Sequence, residues 1–434
     1  MAILLGGIMA ASLAAPCSVS AAEKTTLTFW HAMGGTNGEV LQQIVDDFNA
    51  SQDEIEIKAE YQGTYDDTIT KLKAAMQSDS GLPDVCQMYD VGTKFMYDSG
   101  AVIPVEDKFE STGYDKSSVM DVISSYYTVE GKQYAMPFNV STPMLYYNKD
   151  VFEAAGLDPE TPPTTYDEVL EDAKKIVESG AAPVGYSQAI YGWFFEQQLA
   201  GLGVTYGNND NGRTEAVTAV DFDSNGGGLK VFDMWKKLYD SGYFEDYGTT
   251  TADTQTAFFS GQVGMIIEST AILKNAVDSS PFEVGTGYLP RIEQNDEGGV
   301  IIGGGSLWLT DTGNEANEDA AWKFIEYITT PDVQAKWSMG TGYFAINEKA
   351  YETDDMKAYL KENPNFETAI NQLKDSPVNC NTAGVLSGVQ TEARLTFNEI
   401  MPQVYDGKLT TQDAVDQLAA SVNKAIENYN ESIK

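Results

Sequence analysis

The feature that most constrains the fold of this chain is a regular alternation of strand-like and helix-like segments over residues 27–89. Apolar and polar residues alternate at 27–29 and again at 55–61, and a third apolar run covers 82–89. Between these runs, apolar residues recur at helical spacing over 40–48 and 69–76. This strand–helix–strand–helix–strand series predicts a parallel sheet with right-handed crossovers, and therefore an α/β fold.

The carboxyl ends of the predicted strands indicate where a ligand would bind, because ligands of open parallel sheets lie beyond those ends. The ends carry Trp30-His31, the turn 61–65 and Tyr89-Asp90. Aromatic and polar side chains are therefore expected to converge on one edge. Each of them taken alone fits an ordinary surface loop equally well.

Beyond residue 137 the pattern changes. The segment 137–143, which contains two prolines, breaks the alternation and precedes a strand over 144–147, and Thr165 with Glu168 forms a capping box that begins a helix. Three glycines at 303–305 interrupt an apolar run and predict close backbone approach or a bend between domains. From about Asn314 onward the chain is predicted to be mostly helical, and 434 residues suggest two or three domains.

The side-chain inventory excludes several classes of function. With 65 acidic and 27 basic residues the net charge is −38, which argues against nucleic acid and against anionic membrane surfaces as partners. A single histidine, His31, excludes a multi-histidine zinc site, and no CxxC motif is present. We therefore expect neither a metal nor a cofactor.

The amino-terminal segment indicates export. Residues 1–22 carry no charge, and the apolar run 3–15 has the length of a signal-peptide core and is too short to span a bilayer. Small residues at 19–22 offer cleavage sites, and a lipid-anchored Cys17 is the alternative. The protein is expected at the periplasmic or extracellular face of the membrane. Cys86 and Cys380 are predicted to be separate thiols, with a disulfide between them as the alternative.

Several segments resemble a known family. The start at 28–31 and the run 145–150, followed by 154–157, resemble the extracellular solute-binding proteins of family 1, the receptors of ABC importers. Further segments resemble the sn-glycerol-3-phosphate-binding branch of that family, namely 61–65, 88–93, 138–143, 301–308 and 341–343. The resemblance runs from about residue 25 to the carboxyl terminus.

The resemblance implies a two-lobed periplasmic-binding-protein fold, with the ligand cleft between the lobes and a multi-segment hinge. Carried onto this chain, lobe 1 would comprise 23–138 with 305–331, and lobe 2 would comprise 139–304 with 332–434. The crossovers would fall near 138–142, 302–306 and 330–334. The family also implies a monomer that delivers a small molecule to membrane permease subunits.

The resemblance further implies a set of ligand-binding residues. Arg394 is the best hydrogen-bond donor to a phosphate group, because its planar guanidinium can bind two oxygens. Arg213 and Arg291 are expected to be solvated. Hydroxyl groups and a backbone amide would donate hydrogen bonds to the phosphate, and Asp90 would accept hydrogen bonds from the glycerol hydroxyls. An aromatic ring would stack on the carbon face of the ligand. The matching positions are Tyr65, Asp90, Ser141, Trp193, Ser269, Gly304, Tyr343 and Arg394. The alternative for Arg394 is an ion pair with Glu392 or Glu399.

Two departures from the family pattern keep the ligand open. Asp90 stands where the branch usually has Glu, and a second pocket tryptophan is replaced near Ala189-Ile190, which predicts a roomier pocket. The expected ligand is therefore either glycerol 3-phosphate or a glycerophosphodiester, and an oligosaccharide is the main alternative. An exported carboxylate-dependent hydrolase is a remote one, since no GxSxG motif occurs.

Overall fold

The structure, a computed structural model, describes residues 24–78 and 81–433. Within those ranges no helix has the length and apolar character needed to cross a bilayer. The predicted signal peptide at 1–22 and the lipidation candidate Cys17 lie outside the described residues.

The strands form two main sheets and a small hairpin. In chain order they are β1 (Thr25–His31), β2 (Ile55–Tyr61), β3 (Val85–Tyr89), β4 (Val102–Ile103), β5 (Thr128–Val129), β6 (Lys132–Gln133), β7 (Met136–Ser141), β8 (Pro143–Asn148), β9 (Val184–Ser187), β10 (Val263–Ser269), β11 (Val284–Gly287) and β12 (Gly303–Thr310).

The first half of the chain's helices flank these strands. They are α1 (Gly35–Ser51), α2 (Tyr65–Met76), α3 (Thr93–Asp98), α4 (Glu106–Thr112), α5 (Asp121–Ser124), α6 (Lys149–Ala154), α7 (Tyr166–Ser179), α8 (Gly192–Gly201), α9 (Asn208–Gly212) and α10 (Gly227–Asp240). The element α9 is a single turn in which Asn209, Asp210 and Asn211 all have left-handed backbone angles.

The remaining helices are α11 (Thr251–Phe259), α12 (Leu273–Ser279), α13 (Glu315–Ile328), α14 (Pro331–Thr341), α15 (Asp354–Glu362), α16 (Asn365–Asp375), α17 (Gln390–Tyr405) and α18 (Thr411–Ser432). Short 3₁₀ turns occur at Asp90–Gly92, Lys116–Ser118, Ser125–Tyr127, Thr270–Ile272 and Glu348–Glu352. The carboxyl-terminal part is mostly helical, as predicted.

The six-stranded sheet contains the predicted parallel core. β1 pairs in parallel with both β2 and β3, and its inward residues Leu27 and Phe29 are fully buried. β12 returns from far along the chain to pair antiparallel with β3, β4 and β7. The βαβαβ prediction is therefore confirmed, and the late strand β12 brings the glycine triplet to the centre of this sheet.

The four-stranded sheet has the order β11-β8-β10-β9. β8 follows β7 after only Thr142, so the chain passes directly from one sheet to the other. The predicted capping box is present, because the Thr165 hydroxyl accepts from the Glu168 N–H and the Glu168 carboxylate accepts from the Thr165 N–H. It begins α7, which buries Val169 and Ile176 against this sheet.

The predicted lobe boundaries remain a proposal. The boundaries at 138/139 and 304/305 fall inside β7 and β12, the two strands through which the chain leaves and re-enters the six-stranded sheet, and the boundary at 331/332 falls at the start of α14. Helix α14, most of which the prediction assigns to lobe 2, packs against α1 and α13, on the six-stranded sheet's side. We therefore propose that α14 belongs with lobe 1 rather than lobe 2.

Two predictions about single residues need comment. Arg213 is not solvated: its Nε donates to the Gly384 carbonyl at 3.0 Å and its Nη1 to the Tyr126 carbonyl at 2.9 Å. No carboxylate pairs with it among the described residues, and burial lowers its pKa from 12.5 to about 10. Cys86 and Cys380 are both free thiols, the first buried and the second half-buried.

The close backbone approach predicted from the glycine triplet is confirmed at Gly304. Its φ is +94°, and a Cβ added there would lie 1.8 Å from the Asn139 carbonyl oxygen on the paired strand β7. Any side chain at this position would therefore force β7 and β12 apart.

We predict that Gly304→Ala destabilises the protein by roughly 3 kcal/mol or more, because it adds a backbone clash to left-handed strain. Gly313→Ala is the matched control, since Gly313 also has a positive φ but open space around it, and should cost only about 1–2 kcal/mol. Urea unfolding measures both losses. Equal losses for the two variants would contradict this account of the strand pairing.

Candidate ligand-binding site

A cavity of about 440 Å³ lies where the ends of strands from both sheets meet α8 and α17. It is lined by all eight residues that were predicted to bind ligand: Tyr65, Asp90, Ser141, Trp193, Ser269, Gly304, Tyr343 and Arg394. The structure thus brings the predicted set together, and their roles in binding stay a proposal.

The positions of these residues follow from the strand ends. Asp90 follows the carboxyl end of β3, while Ser141 and Ser269 are the last residues of β7 and β10. Tyr65 is the first residue of α2 and directly follows Thr64, the N-cap of a Thr64–Asp67 capping box. Side chains distant in sequence therefore share one wall of the cavity.

Other residues at the predicted sheet edge do not reach the cavity. Trp30, His31 and Tyr61 end β1 and β2, which lie on the far side of β3 from β12 in the sheet. His31 is instead a buried strand-end residue whose Nδ1 accepts from the Met33 N–H, and burial lowers its pKa from 6.5 to about 4. Of the residues at the ends of β1, β2 and β3, those that line the cavity are Tyr89 and Asp90 at the end of β3.

The centre of the site is a buried ion cluster. Arg394 donates through Nε to Glu196 Oε1 at 2.8 Å and through Nη2 to Glu196 Oε2 at 2.7 Å. The same Nη2 donates to Asp90 Oδ2 at 3.0 Å. All three side chains are at most 8% exposed. Two carboxylates around one guanidinium leave the cluster with a net negative charge.

The pKa shifts of the cluster agree with this arrangement. Burial raises the pKa of Glu196, and the neighbouring Asp90 charge adds to the rise while Arg394 opposes it. Burial also works against the charge of Arg394, but the carboxylates of Asp90 and Glu196 outweigh it and hold the Arg394 pKa above its ordinary value. Arg394 therefore stays protonated.

The sequence alternative for Arg394 was an ion pair, and an ion pair is present, but its acidic partners differ from those predicted. Its partners are Asp90 and Glu196, not Glu392 or Glu399. Glu196 was missed altogether. The signal for it was one carboxylate inside the otherwise apolar and amide-rich helix α8, because a charge in such a helix needs a partner.

Several polar groups of the cavity wall are left unbonded by the described residues. Arg394 Nη1 has no protein acceptor, and neither Asp90 Oδ1 nor the Ser141 hydroxyl has a partner. The indole N–H of Trp193, a side chain only 5% exposed, also has no acceptor. The free atoms of Arg394, Asp90 and Ser141 are accessible at the cavity wall, where a bound ligand would complete their hydrogen bonds.

Aromatic rings shape the rest of the wall. Tyr65 stacks on Tyr89 with ring centroids 4.9 Å apart, and its hydroxyl accepts from Asn139 Nδ2 at 2.6 Å. Tyr343 stacks on Trp337 at 5.7 Å. Burial raises the pKa of both cavity tyrosines, Tyr65 and Tyr343, so each keeps its proton and remains a neutral donor.

Glu268 is a second acidic residue that sequence reasoning missed. It lies at the end of β10, is 5% exposed, and accepts from Gln255 Nε2 at 2.9 Å and from the Ser269 N–H at 2.7 Å. No described cation pairs with it, and burial raises its pKa. The signal for it was a carboxylate directly after the apolar run Val263–Ile267.

A larger cavity of about 740 Å³ lies between β11, α16 and the loop 288–300. It contains none of the predicted ligand-binding residues. Its buried amides are already bonded: Gln198 contacts Tyr166 and Trp235, and Gln372 contacts the backbone at Pro143 and Leu289. Its chemistry therefore does not call for a ligand, unlike that of the smaller cavity.

Comparison with known proteins places the chain among binding proteins. A family model described as bacterial extracellular solute-binding protein matches residues 43–368. The sn-glycerol-3-phosphate-binding periplasmic protein UgpB of Escherichia coli (strain K12) is 31% identical over 417 residues, which is 94% of each chain. The protein of the same name from Shigella flexneri serotype 5b is 30% identical over the same shares.

Solved structures show the same fold. UgpB from Mycobacterium tuberculosis, in complex with glycerophosphocholine, superposes with a TM-score of 0.80 at 20% identity, covering 94% of this chain and 99% of that one. The cyclic α-maltosyl-1,6-maltose binding protein from Arthrobacter globiformis superposes with a TM-score of 0.78 at 26% identity, covering 93% and 100%. These matches establish a periplasmic solute-binding fold over nearly the whole chain.

We predict that Glu268→Gln stabilises the ligand-free protein at pH 7.5 and has no effect near pH 4. Because burial raises the folded-state pKa of Glu268 above 4.5, its contribution to stability is largest below that value and is lost as the pH rises through the folded-state pKa. The neutral amide avoids that loss. Thermal unfolding at several pH values measures the difference.

Glu171→Gln, an exposed substitution on α7, is the control and should show no such pH dependence. A Glu268→Gln variant that is less stable than the wild type at pH 7.5, or whose difference is independent of pH, would contradict the role given to burial.

Proposed function

The chain belongs to the bacterial extracellular solute-binding proteins, the substrate-binding components of ABC importers, and we propose that it captures a glycerophosphodiester. The family and the relatives are solute-binding proteins and not enzymes, so the hydrolase alternative is set aside. A small-molecule ligand and an ABC permease partner are expected for the family, and the relatives named here are periplasmic. We propose the same exported location and a monomeric state for this chain.

One observation carries the choice of a phosphate ester. The Nη1 group of Arg394 is left without a protein acceptor, while Nε and Nη2 are fixed by Glu196 and Asp90. The guanidinium is therefore held in one orientation with two N–H bonds available to an anion. Charge-assisted bonds from arginine to phosphate oxygens are among the strongest that a protein makes.

The net charge of the ion cluster favours a diester over a monoester. Asp90 and Glu196 outnumber Arg394, so each further negative charge brought into the cavity meets net repulsion. A phosphodiester carries one negative charge, whereas glycerol 3-phosphate approaches two at neutral pH. The diester thus keeps the arginine contact at a lower electrostatic cost.

The neutral groups of the wall fit the rest of such a ligand. The hydroxyls of Ser141 and Tyr343 and the Gly304 backbone can donate to phosphate oxygens, and Asp90 Oδ1 can accept from a glycerol hydroxyl. Neutral donors are preferable here, because they bind an anion without adding a further charge that must be desolvated. The relatives that are 30–31% identical are named for sn-glycerol 3-phosphate, which supports a glycerol phosphate ester.

An oligosaccharide is the second candidate. Its support is the fold match to a maltosyl-maltose binding protein at 26% identity, together with the carboxylates and aromatic rings of the cavity. A neutral saccharide would use Asp90 and Tyr65 but would not need Arg394 Nη1. The two candidates therefore differ in their dependence on the arginine.

We predict that isothermal titration calorimetry detects glycerophosphocholine binding that Arg394→Lys weakens by at least about 100-fold, or roughly 3 kcal/mol. Lysine keeps the positive charge, so the fold is retained, but a single ammonium cannot satisfy two carboxylates and a phosphate together. The same variant should leave any maltotriose binding nearly unchanged.

Ser141→Ala should weaken glycerophosphocholine by about tenfold, near 1 kcal/mol, because one neutral hydrogen bond is lost. Ser306→Ala is its matched control: Ser306 is also buried and unbonded in the six-stranded sheet, but it lies outside the cavity. Maltotriose binding without any heat from glycerophosphocholine would overturn the phosphate ester proposal in favour of the saccharide.

A further inference from the structure

A buried amide pair, Gln87 of β3 and Asn139 of β7, lies next to the cavity without lining it. Both side chains are fully buried. The backbone N–H of Ala32, just after β1, donates to Gln87 Oε1 at 2.8 Å, and Gln87 Nε2 donates to Asn139 Oδ1 at 2.7 Å. Asn139 Nδ2 then donates to the Tyr65 hydroxyl at 2.6 Å. The amide pair therefore connects a backbone N–H to a tyrosine of the cavity wall.

The backbone N–H fixes the direction of every bond in this series. It can only donate, so the atom of Gln87 that faces Ala32 must be the amide oxygen. The nitrogen of Gln87 then faces Asn139, whose oxygen must accept, and the Asn139 nitrogen is left for Tyr65. A rotation that exchanged the oxygen and nitrogen of either amide would bring two N–H donors into contact.

The glycine triplet leaves space for the amide pair. β12 lies between β3 and β7, so the side chains of Gln87 and Asn139 meet across it. Gly305 pairs with Asn139, and a Cβ added to Gly305 would lie 2.8 Å from Asn139 Oδ1. Gly304 thus permits the close approach of the two backbones, whereas Gly305 leaves room for the amide that bonds to Tyr65.

The direction of the last bond decides what the cavity tyrosines can offer to a ligand. Burial raises the pKa of Tyr343, and hydrogen bonding with Asn139 and Tyr65 opposes the rise, so the two hydroxyls are neighbours. Asn139 accepts neither hydroxyl proton, because it presents its nitrogen. One proton can be donated within the tyrosine pair, and the other has no acceptor among the described residues. Since both tyrosines line the cavity, that proton is available to a ligand.

We propose that Gln87 and Asn139 are positioning residues that hold the Tyr65–Tyr343 pair as a hydrogen-bond donor to the ligand. The inference rests on the proposed function in one respect, because the oxygen that accepts the proton is taken to belong to the phosphate. The reverse orientation of Asn139 would take up the free proton and leave only lone pairs facing an anion. A fixed neutral donor suits this cavity, because its ion cluster is already net negative.

Asn139→Asp tests the direction of the last bond at almost unchanged volume. The carboxylate still accepts from Gln87, but its second oxygen accepts the Tyr65 proton. We expect calorimetry to show glycerophosphocholine binding weakened by about 30-fold, through the lost donor and the added charge. In the Tyr65→Phe background, itself about tenfold weaker, the same substitution should cause a loss about tenfold smaller, since only the charge then acts.

A spectroscopic readout tests the same bond in the ligand-free protein. The carbon NMR resonance of the Tyr65 Cζ atom can be assigned by its absence in Tyr65→Phe. In Asn139→Asp it should move toward the position of an ionised tyrosine, because the hydroxyl then shares its proton with a carboxylate. A purely structural role of Asn139 would not move it in this direction.

Gln87→Met gives a second, uncharged variant in case Asn139→Asp does not fold. It removes the group that fixes Asn139, so the amide can rotate and accept the Tyr65 proton, and the Tyr65 resonance should move in the same direction by a smaller amount. Gln334→Met is the matched control. Gln334 is also fully buried and accepts from a backbone N–H, that of Ile346, but it lies outside the cavity, so the resonance should stay in place.

The outcomes separate this inference from the proposed function. A Tyr65 resonance that stays in place in both variants would overturn the role of the amide pair, and so would equal binding losses in the wild-type and Tyr65→Phe backgrounds. Either result would leave the phosphate ester proposal standing. Heat from maltotriose and none from glycerophosphocholine would overturn the phosphate ester, while the resonance, and the same losses measured with maltotriose, would still decide the role of the amide pair.

Discussion

The site depends on one buried interaction, the guanidinium of Arg394 held between Asp90 and Glu196. It joins three elements that are distant in sequence: the end of β3, helix α8 and helix α17. Removing Arg394 would leave two buried carboxylates without a counter-charge, at a cost of about 3–5 kcal/mol. The same residues therefore support the packing and present the two free N–H bonds of the arginine, so stability and recognition are joined in one cluster.

Much of this fold follows from local patterns. The alternation over 27–89 predicted the parallel strands β1, β2 and β3, because residues such as Leu27 and Phe29 must all reach one core. The glycine triplet predicted a close backbone approach or a bend between domains, and the structure shows a close approach between β7 and β12. The ligand-binding set could be named from a family resemblance, and strand ends such as Asp90 and Ser269 explain why it converges.

Local sequence patterns could not predict which side chains or carbonyl groups from distant parts of the chain would pair with each other. Spacing in a helix tests Glu392 and Glu399 as partners of Arg394, but no linear pattern indicates that Glu196, on another helix, lies within 2.7 Å. Glu268 was overlooked because a carboxylate after a strand is usually solvated. Arg213 was misjudged because its acceptors are backbone carbonyls, which leave no trace in the side-chain sequence.

The carbonyl cage around Arg213 has a consequence for how this protein can vary through evolution. Main-chain oxygens are present whatever side chain a residue carries, so substitutions at Thr128 or Ala383 that keep the backbone path preserve the acceptors. The guanidinium thereby ties together two segments through groups that do not depend on the side chains at these two positions. Such a contact would leave no pair of co-varying positions, although Arg213 itself could not be exchanged without leaving several buried carbonyls unbonded.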